Sequence, residues 1–266
     1  MSNFNPDSHL QSQPDSTIST MPVSTPDHES TTLHPHHKLG LRAQIGALTL
    51  NLDLTLTAPW TVIYGPSGSG KTTILRALAG LLHNSAEIRL TRQNLSGNPQ
   101  DLTTLPPRER QIAYAPQQPS LFPHLTVAAN VAFSQQSGNK STSSQQDIHS
   151  LFHLEDLAHR FPRNLSGGEQ QRVNLARAFA VPNQQLMLLD EPFTGIGRAL
   201  RDDLLPSMRR WTTLHKIPVL SVTHDVEEAL LLDADVIRLE EGQILAQGPA
   251  PQVLAVERAR ILNALR

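Results

Sequence analysis

Thr61-Val62-Ile63-Tyr64-Gly65-Pro66-Ser67-Gly68-Ser69-Gly70-Lys71-Thr72 is the stretch that decides the fold. A short β-branched run ends in a glycine-rich turn, and Thr72 to Leu82 then reads as a helix. From Gly65 to Thr72 the turn fits the pattern G-x-x-x-x-G-K-[ST] in full. Its glycines let the backbone wrap a polyphosphate and turn N–H groups inward, and the following helix adds its positive N-terminal end. Gly65, Pro66, Ser67, Gly68, Ser69, Gly70, Lys71, Thr72 and Thr73 are therefore the candidate phosphate-binding residues. Lys71 is expected to pair with the β- and γ-phosphates, and Thr72 to ligate Mg²⁺. A glycine-rich turn that binds nothing is the competing reading, and the strand before it and helix after it argue against that. Alone, the loop says only that a nucleotide is bound.

Outward from the loop, strands alternate with helices. Ile45 to Leu56 alternates apolar and polar residues, the period of a half-buried strand. Ile112–Ala115 reads as another strand. Leu186-Met187-Leu188-Leu189 and Pro218–Thr223 are continuously apolar or β-branched, as in parallel strands covered on both faces. Val236–Leu239, Glu241-Gly242 and Gln243–Leu245 suggest a late hairpin. The alternation predicts an α/β sheet. Residues from about 118 to 181 lack strand signals and include polar text from Ser134 to Gln146, which predicts a helical insert carrying a flexible loop.

Two further stretches carry chemistry. Leu186-Met187-Leu188-Leu189-Asp190-Glu191 delivers two adjacent carboxylates to the C-terminal end of a buried strand, where open α/β sheets bind ligands. Successive side chains leave a strand in opposite directions, so the two have different tasks. Asp190 would hold Mg²⁺, directly or through water, and Glu191 would polarise an attacking water. A plain Asp-Glu turn before Pro192 is the alternative. Leu165-Ser166-Gly167-Gly168-Glu169-Gln170-Gln171-Arg172 contains a capping box, Ser166 to Glu169, and so starts a helix whose N-terminal end is an anion site. The two glycines inside the box cost helix stability and allow close backbone approach.

LSGGEQQRV resembles the signature of the ATP-binding-cassette ATPases, and the phosphate loop and LMLLDEP stand in that family's order around it. The resemblance covers about residues 39–250. It implies a P-loop NTPase (RecA-like) α/β core with an antiparallel β subdomain and an α-helical insert subdomain. It implies a head-to-tail dimer, with ATP between the phosphate loop of one subunit and Ser166, Gly167 and Gly168 of the other. Gln117, in Tyr114-Ala115-Pro116-Gln117, looks like the family glutamine that senses Mg²⁺ and the attacking water. His224, in Ser221-Val222-Thr223-His224-Asp225, looks like the histidine that contacts the γ-phosphate, and it falls beside Glu191 if the two strands are neighbours. The catalytic set so implied is Glu191, His224 and Gln117, and the Mg²⁺ set is Thr72, Gln117 and Asp190.

Ser120-Leu121-Phe122-Pro123-His124-Leu125-Thr126-Val127 resembles the importer pattern in which a groove receives a coupling helix from a membrane subunit, with Phe122 and Leu125 as apolar contacts. Phe122 and Leu125 as ordinary core residues is the alternative. Leu204-Leu205-Pro206, Leu214–Leu220 and Leu105–Tyr114 resemble the ATP-binding subunit of molybdate import, although sulfate, ferric-iron and polyamine importers share most of these features. The implied partners are a second copy or a homologous cassette, polytopic permease subunits and, indirectly, a periplasmic solute-binding protein. The implied location is peripheral, on the cytoplasmic face of the inner membrane. Three features depart from the family. Gly197 stands where an aspartate is usual, which puts coupling across the dimer in doubt. No aromatic residue for stacking adenine occurs from Leu39 to Thr57, and only about 20 residues follow Gln247, so an oxyanion-sensing domain there is not expected.

Composition bounds the rest. The chain of 266 residues has no cysteine, which excludes disulfides, Cys-ligated metals and thiol chemistry. No apolar run approaches the about 18 residues of a membrane span, and no basic segment with an apolar stretch begins the chain, so the expected compartment is the cytoplasm. A net charge of −2 gives no drive toward nucleic acid. Residues 1–38 hold 12 Ser or Thr, five Pro and a single base, and are expected to be a disordered tail ahead of an ATPase domain over 39–266. That tail carries His28, His34, His36 and His37, for which a solvated linker is the simpler reading than a metal site. A soluble cassette ATPase acting on DNA or ribosomes would need two cassettes or a coiled-coil insert, and neither pattern is present. An exporter subunit, or a degenerate cassette that only dimerises, is the third reading, suggested by Gly197.

Overall fold

In the computed structural model, residues 36–82, 86–93, 99–135 and 145–264 are described, all within one unit, Thr32–Arg266. The chain opens with β1 (His36–Ile45) and β2 (Leu48–Leu56), joined by Gly46-Ala47, then β3 (Trp60–Tyr64) and α1 (Lys71–Ala79). Next come β4 (Ala86–Gln93), β5 (Pro99–Asp101) and β6 (Ile112–Ala115). Helices α2 (Val127–Gln135), α3 (Gln145–Leu151) and α4 (Gly167–Phe179) follow. The last part alternates β7 (Leu186–Asp190), α5 (Arg198–Leu214), β8 (Val219–Thr223), α6 (Val226–Leu231) and β9 (Asp235–Glu240). It closes with β10 (Gln243–Pro249), α7 (Ala250–Val253) and α8 (Ala255–Ala264).

Two sheets result. The antiparallel sheet has the order β2-β1-β4-β5, and the larger sheet has the order β10-β9-β3-β8-β7-β6. In the larger sheet β9, β3, β8, β7 and β6 run parallel, and β10 is an antiparallel edge. Strand parity divides the interior in two. Leu186, Leu188, Leu220, Val222 and Ile63 face α1 and the apolar side of the antiparallel sheet, where Leu39, Leu41, Leu50, Leu52 and Leu54 lie. Met187, Leu189, Val219 and Val62 face the opposite layer with Val173, Phe179, Leu204 and Met208. Burying alternate residues of one strand in two cores explains why β7 is apolar without interruption.

The structure revises the strand reading in three places. Ile45–Leu56 is not one strand: Ile45 closes β1, pairs with Leu48, and the alternation continues in β2. Crossing the two-residue loop moves the buried face from odd positions in β1 (Leu39, Leu41, Ala43) to even positions in β2 (Leu50, Leu52, Leu54), so the turn shows only as a shift in the phase of the pattern. His36–Lys38, assigned by composition to the tail, belong to β1, with His37 fully buried opposite Arg92. Strands β4 and β5 were not anticipated, although Ile88 and Leu90 alternate with polar residues. Helix α1 ends at Ala79 rather than Leu82, where the chain turns at Gly80. The expected tail over residues 1–35 and most of the expected loop from Ser134 to Gln146 lie outside the described residues.

Candidate functional site

Strand β3 and helix α1 hold the phosphate loop between them. Lys71 is buried and turned back along the loop, its Nζ donating to the carbonyls of Gly65 at 2.7 Å and Pro66 at 2.8 Å. Burial lowers the Lys71 ammonium pKa, and the carboxylates of Glu191 and Asp190 act in the opposite sense. Gly70 caps α1 at a φ of 101°, and a Cβ there would stand 2.6 Å from Leu50 Cδ2 of β2. Only glycine allows both the left-handed turn and this approach. The Ser69 hydroxyl is buried without a hydrogen-bond partner. An unpaired donor and a glycine loop at a helix start suit a polyphosphate.

The C-terminal end of β7 supplies the carboxylates. Asp190 has the parity of Leu186 and Leu188, so its side chain points toward α1. It accepts from Thr72 Oγ1 at 3.1 Å and from the Tyr114 hydroxyl at 3.4 Å. Burial is the main cause that raises its pKa, and the Thr72 hydrogen bond opposes the rise. A hydroxyl and a carboxylate in contact form a donor pair suited to a hard divalent cation, whose charge would stabilise the ionised acid. Among the described residues no group of three or more His, Cys, Asp or Glu side chains is placed to hold a metal ion.

Glu191 leaves the strand the other way. Its φ of 45° is left-handed, an uncommon state for a residue with a side chain. Its backbone N–H donates to the Val222 carbonyl at 3.0 Å, and Gln171 Nε2 donates to the carbonyls of Glu191 at 3.4 Å and Pro192 at 3.1 Å. The carboxylate accepts from Gln117 Nε2 at 3.0 Å and from Thr194 Oγ1 at 3.3 Å. His224 Nδ1 lies 3.5 Å from Glu191 Oε1, because β7 and β8 are adjacent and parallel.

These residues border three clefts. A cleft of about 410 Å³ is lined by Ile45 and Leu48, by Ser67, Gly68 and Gly70–Thr73 of the loop, and by Gln117 and Glu191. A second, of about 700 Å³, lies between Ala47–Asn51, the loop and Glu240–Gln243, with no aromatic side chain on its walls. A third, of about 360 Å³, runs from Glu191 past Thr194 and Arg198 to His224 and Glu228. Ser166, Gly167 and Gly168 line none of them. They start α4, where Ser166 Oγ accepts from the Glu169 amide at 3.3 Å and Glu169 Oε2 accepts from the Ser166 amide at 2.7 Å. A Cβ on Gly168 would lie 2.5 Å from the Gly195 carbonyl, while one on Gly167 would meet nothing.

Tyr114, Gln171 and Thr194 take part in this arrangement without having been singled out from sequence. Tyr114 and Gln171 stand inside quoted motifs, but their partners depend on strand register and on where α4 packs. Thr194 follows the carboxylates by one turn, which is the only local signal it carries.

The profile of the ABC transporter family matches residues 50–194. Over 246 residues the chain is 35% identical to the molybdenum import ATP-binding protein ModC of Rhodopseudomonas palustris, covering 86% of this chain and 64% of that protein. The chain thus spans just under two thirds of that relative's length. It is 31% identical over 231 residues to the molybdate/tungstate import ATP-binding protein WtpC of Archaeoglobus fulgidus, covering 86% of this chain and 93% of that one. Its fold matches the dimeric structure of a post-hydrolysis state of the ATP-binding cassette MJ0796 bound to ADP and Pi. The TM-score is 0.68 at 25% identity, over 80% of this chain and 98% of that one. With phosphate loop, strand-end carboxylates and capped signature helix in one matching frame, the chain belongs to the ABC transporter family.

Proposed function

We propose that this chain is the ATP-hydrolysing subunit of a membrane importer for molybdate or a related oxyanion. The observation that carries the catalytic part is the convergence of Gln117, Thr194 and His224 on the Glu191 carboxylate, beside Lys71 and the Thr72–Asp190 pair. Lys71 would exchange its two carbonyl partners for the β- and γ-phosphates of ATP. Thr72 and Asp190 would hold Mg²⁺, with Gln117 beside them. When bound, the ion neutralises charge on the phosphates. Glu191 orients a water for in-line attack, and His224 stabilises charge at the γ-phosphate. Such transfer depends chiefly on positioning and charge stabilisation.

Ser166, Gly167 and Gly168 point to a second cassette. They border none of the clefts around Lys71 within their own chain, and Gly167 has free space above it. In the proposed cycle they close on the ATP held by a partner copy or a homologous cassette. The base of the nucleotide would rest in the cleft at Ala47–Asn51, on aliphatic side chains.

Closure would be passed to polytopic permease subunits through the surface around Phe122. Phe122 packs at a tilt of 56° against the exposed Phe133, with ring centroids 4.5 Å apart and the Arg177 guanidinium 4.8 Å over its own ring. Asn130 fixes this loop through the Phe122 amide at 2.8 Å and the carbonyls of Phe122 and Leu125. Half-buried rather than sequestered, Phe122 and Leu125 suit a docking helix. No described helix is long and apolar enough to cross a membrane, which agrees with a peripheral place on the cytoplasmic face. A periplasmic binding protein would deliver the solute. The oxyanion assignment is supported by the names of the relatives. Uptake of labelled molybdate by cells carrying the chain and its permease tests it: uptake should stop with Glu191→Gln and be competed by tungstate but not by sulfate.

A further inference from the structure

We propose that Arg201 is a positioning residue that ties the orientation of His224 to the loop from Phe193 to Gly197. The inference rests on the ATPase reading and adds a residue to it.

His224 has little to hold its own ring. Its side chain is 72% exposed, and its one described ion-pair contact is Glu191 at 3.5 Å. Its aim is therefore set by the turn Thr223-His224-Asp225. On one side this turn is anchored in β8, and the Thr223 hydroxyl accepts from the Asp225 amide at 3.0 Å. On the other side Asp225 caps α6, with Oδ1 accepting from the Glu227 amide at 2.8 Å. The second oxygen of Asp225 accepts from Arg201 Nη1 at 2.6 Å. Arg201 Nη2 reaches Glu227 Oε2 at 3.0 Å, and its Nε reaches Asp202 at 2.9 Å. The Arg201 side chain is 7% exposed and contacts three carboxylates, those of Asp225 and Glu227 after His224 and that of its own neighbour Asp202. A planar guanidinium whose two terminal nitrogens are held by different carboxylates has its direction fixed as well as its distance.

Arg201 stands in the first turn of α5, its amide donating to the Gly197 carbonyl at 3.0 Å. Gly197 ends the loop whose Gly195 carbonyl lies against Gly168 at the start of α4. A displacement of that loop therefore moves the root of the Arg201 side chain, and with it the Asp225 turn. The segment usually read as linking the two cassettes is thus connected to His224 by one buried cation, even though Gly197 replaces an aspartate.

The test combines hydrolysis with hydrogen exchange on the full-length chain. Arg201→Ala should lower the rate at saturating Mg–ATP by on the order of 10- to 100-fold, as expected for a misplaced catalytic group, with KM for ATP changed less than about threefold. In a His224→Ala background the same substitution should cost less than about twofold, because the group it positions is gone. Asp225→Asn, which keeps the cap and weakens the ion pair, should reproduce part of the loss. An Arg201→Ala cost that persists undiminished without His224 overturns the proposal and leaves a general folding role. Independently, Arg201→Ala should speed amide exchange in residues 223–228 and spare β7. Unchanged protection there also overturns it, even in a chain that hydrolyses no ATP. Absence of ATP hydrolysis by the unmodified chain, or a rate indifferent to Glu191→Gln, sinks the ATPase reading instead and leaves the exchange measurement to decide the clamp.

Discussion

Glu191 and His224 come from adjacent parallel strands and meet with Nδ1 and Oε1 3.5 Å apart, Glu191 held in a left-handed backbone conformation. Gln117 and Thr194 take the other carboxylate oxygen. The carboxylate is thereby aimed at the cleft that also contains Lys71 and Thr72.

Glu191→Gln preserves acceptors for Gln117 and Thr194 but removes the negative charge. Hydrolysis at saturating Mg–ATP should fall by on the order of 10²–10⁴-fold. The Kd for ATP should stay within a few-fold. Phosphate release and equilibrium binding, measured on the same preparation, check both halves.

Lys71→Ala removes the buried ammonium that spans Gly65 and Pro66. Hydrogen bonds from a charged donor contribute about 1.5–3 kcal/mol each, so ATP binding should weaken by roughly 100-fold or more. Isothermal titration with ATP reads this directly, and an unaltered Kd would refute the assigned contact.

Gly167 and Gly168 are adjacent, yet their replacement should have opposite effects on stability. Gly168→Ala drives a methyl to within 2.5 Å of the Gly195 carbonyl, so it should destabilise the chain by about 1–3 kcal/mol. Gly167→Ala meets nothing and should be neutral or stabilising by up to about 1 kcal/mol. Both should impair hydrolysis, Gly167→Ala through the partner cassette alone. Urea midpoints beside turnover rates separate the two causes.

Gly197 caps α5 at φ −62° and ψ 145° with no side-chain acceptor, and a Cβ there has free space. Gly197→Asp should supply the missing cap and complement the helix dipole, a gain of about 0.3–1 kcal/mol. The melting temperature should rise by about 1–3 °C, readable by circular dichroism.

Glu228 lines the cleft beside His224. Burial pushes its carboxyl up to about 7, with Asp225 adding to the rise and the Thr223 hydroxyl, Arg201 and His224 opposing it. Because the folded state holds this proton more tightly than the unfolded chain, the contribution is present at low pH. It is lost as pH rises from about 4.5 to about 7. Over that window the loss is on the order of 3 kcal/mol. Glu228→Gln should flatten this slope, and stability curves for the two proteins should converge at acidic pH and separate above it.

Much of the site was legible because its spelling follows from local geometry. The glycine loop ending in Lys71-Thr72, the apolar strand into Asp190-Glu191 and the capping box from Ser166 to Glu169 each state their shape within a dozen residues. The parallel sheet was legible for a similar reason, since strands covered on both faces are mostly apolar or β-branched along their whole length. The boundary between β1 and β2 is marked only by a one-residue shift in phase, from buried odd positions up to Ala43 to buried even positions from Leu50, which a single slip of the alternation conceals. What needed the tertiary structure was every relation between distant segments. Thr72 meets Asp190 across 118 positions of sequence, and Gln117 meets Glu191 across 74. Arg201 finds Asp225 only because α5 and α6 pack side by side. Sequence by itself determined which groups the chain carries and on what kind of element. Their meeting was decided by strand order and helix packing, because burial rewards the whole sheet at once and no single residue encodes its neighbour.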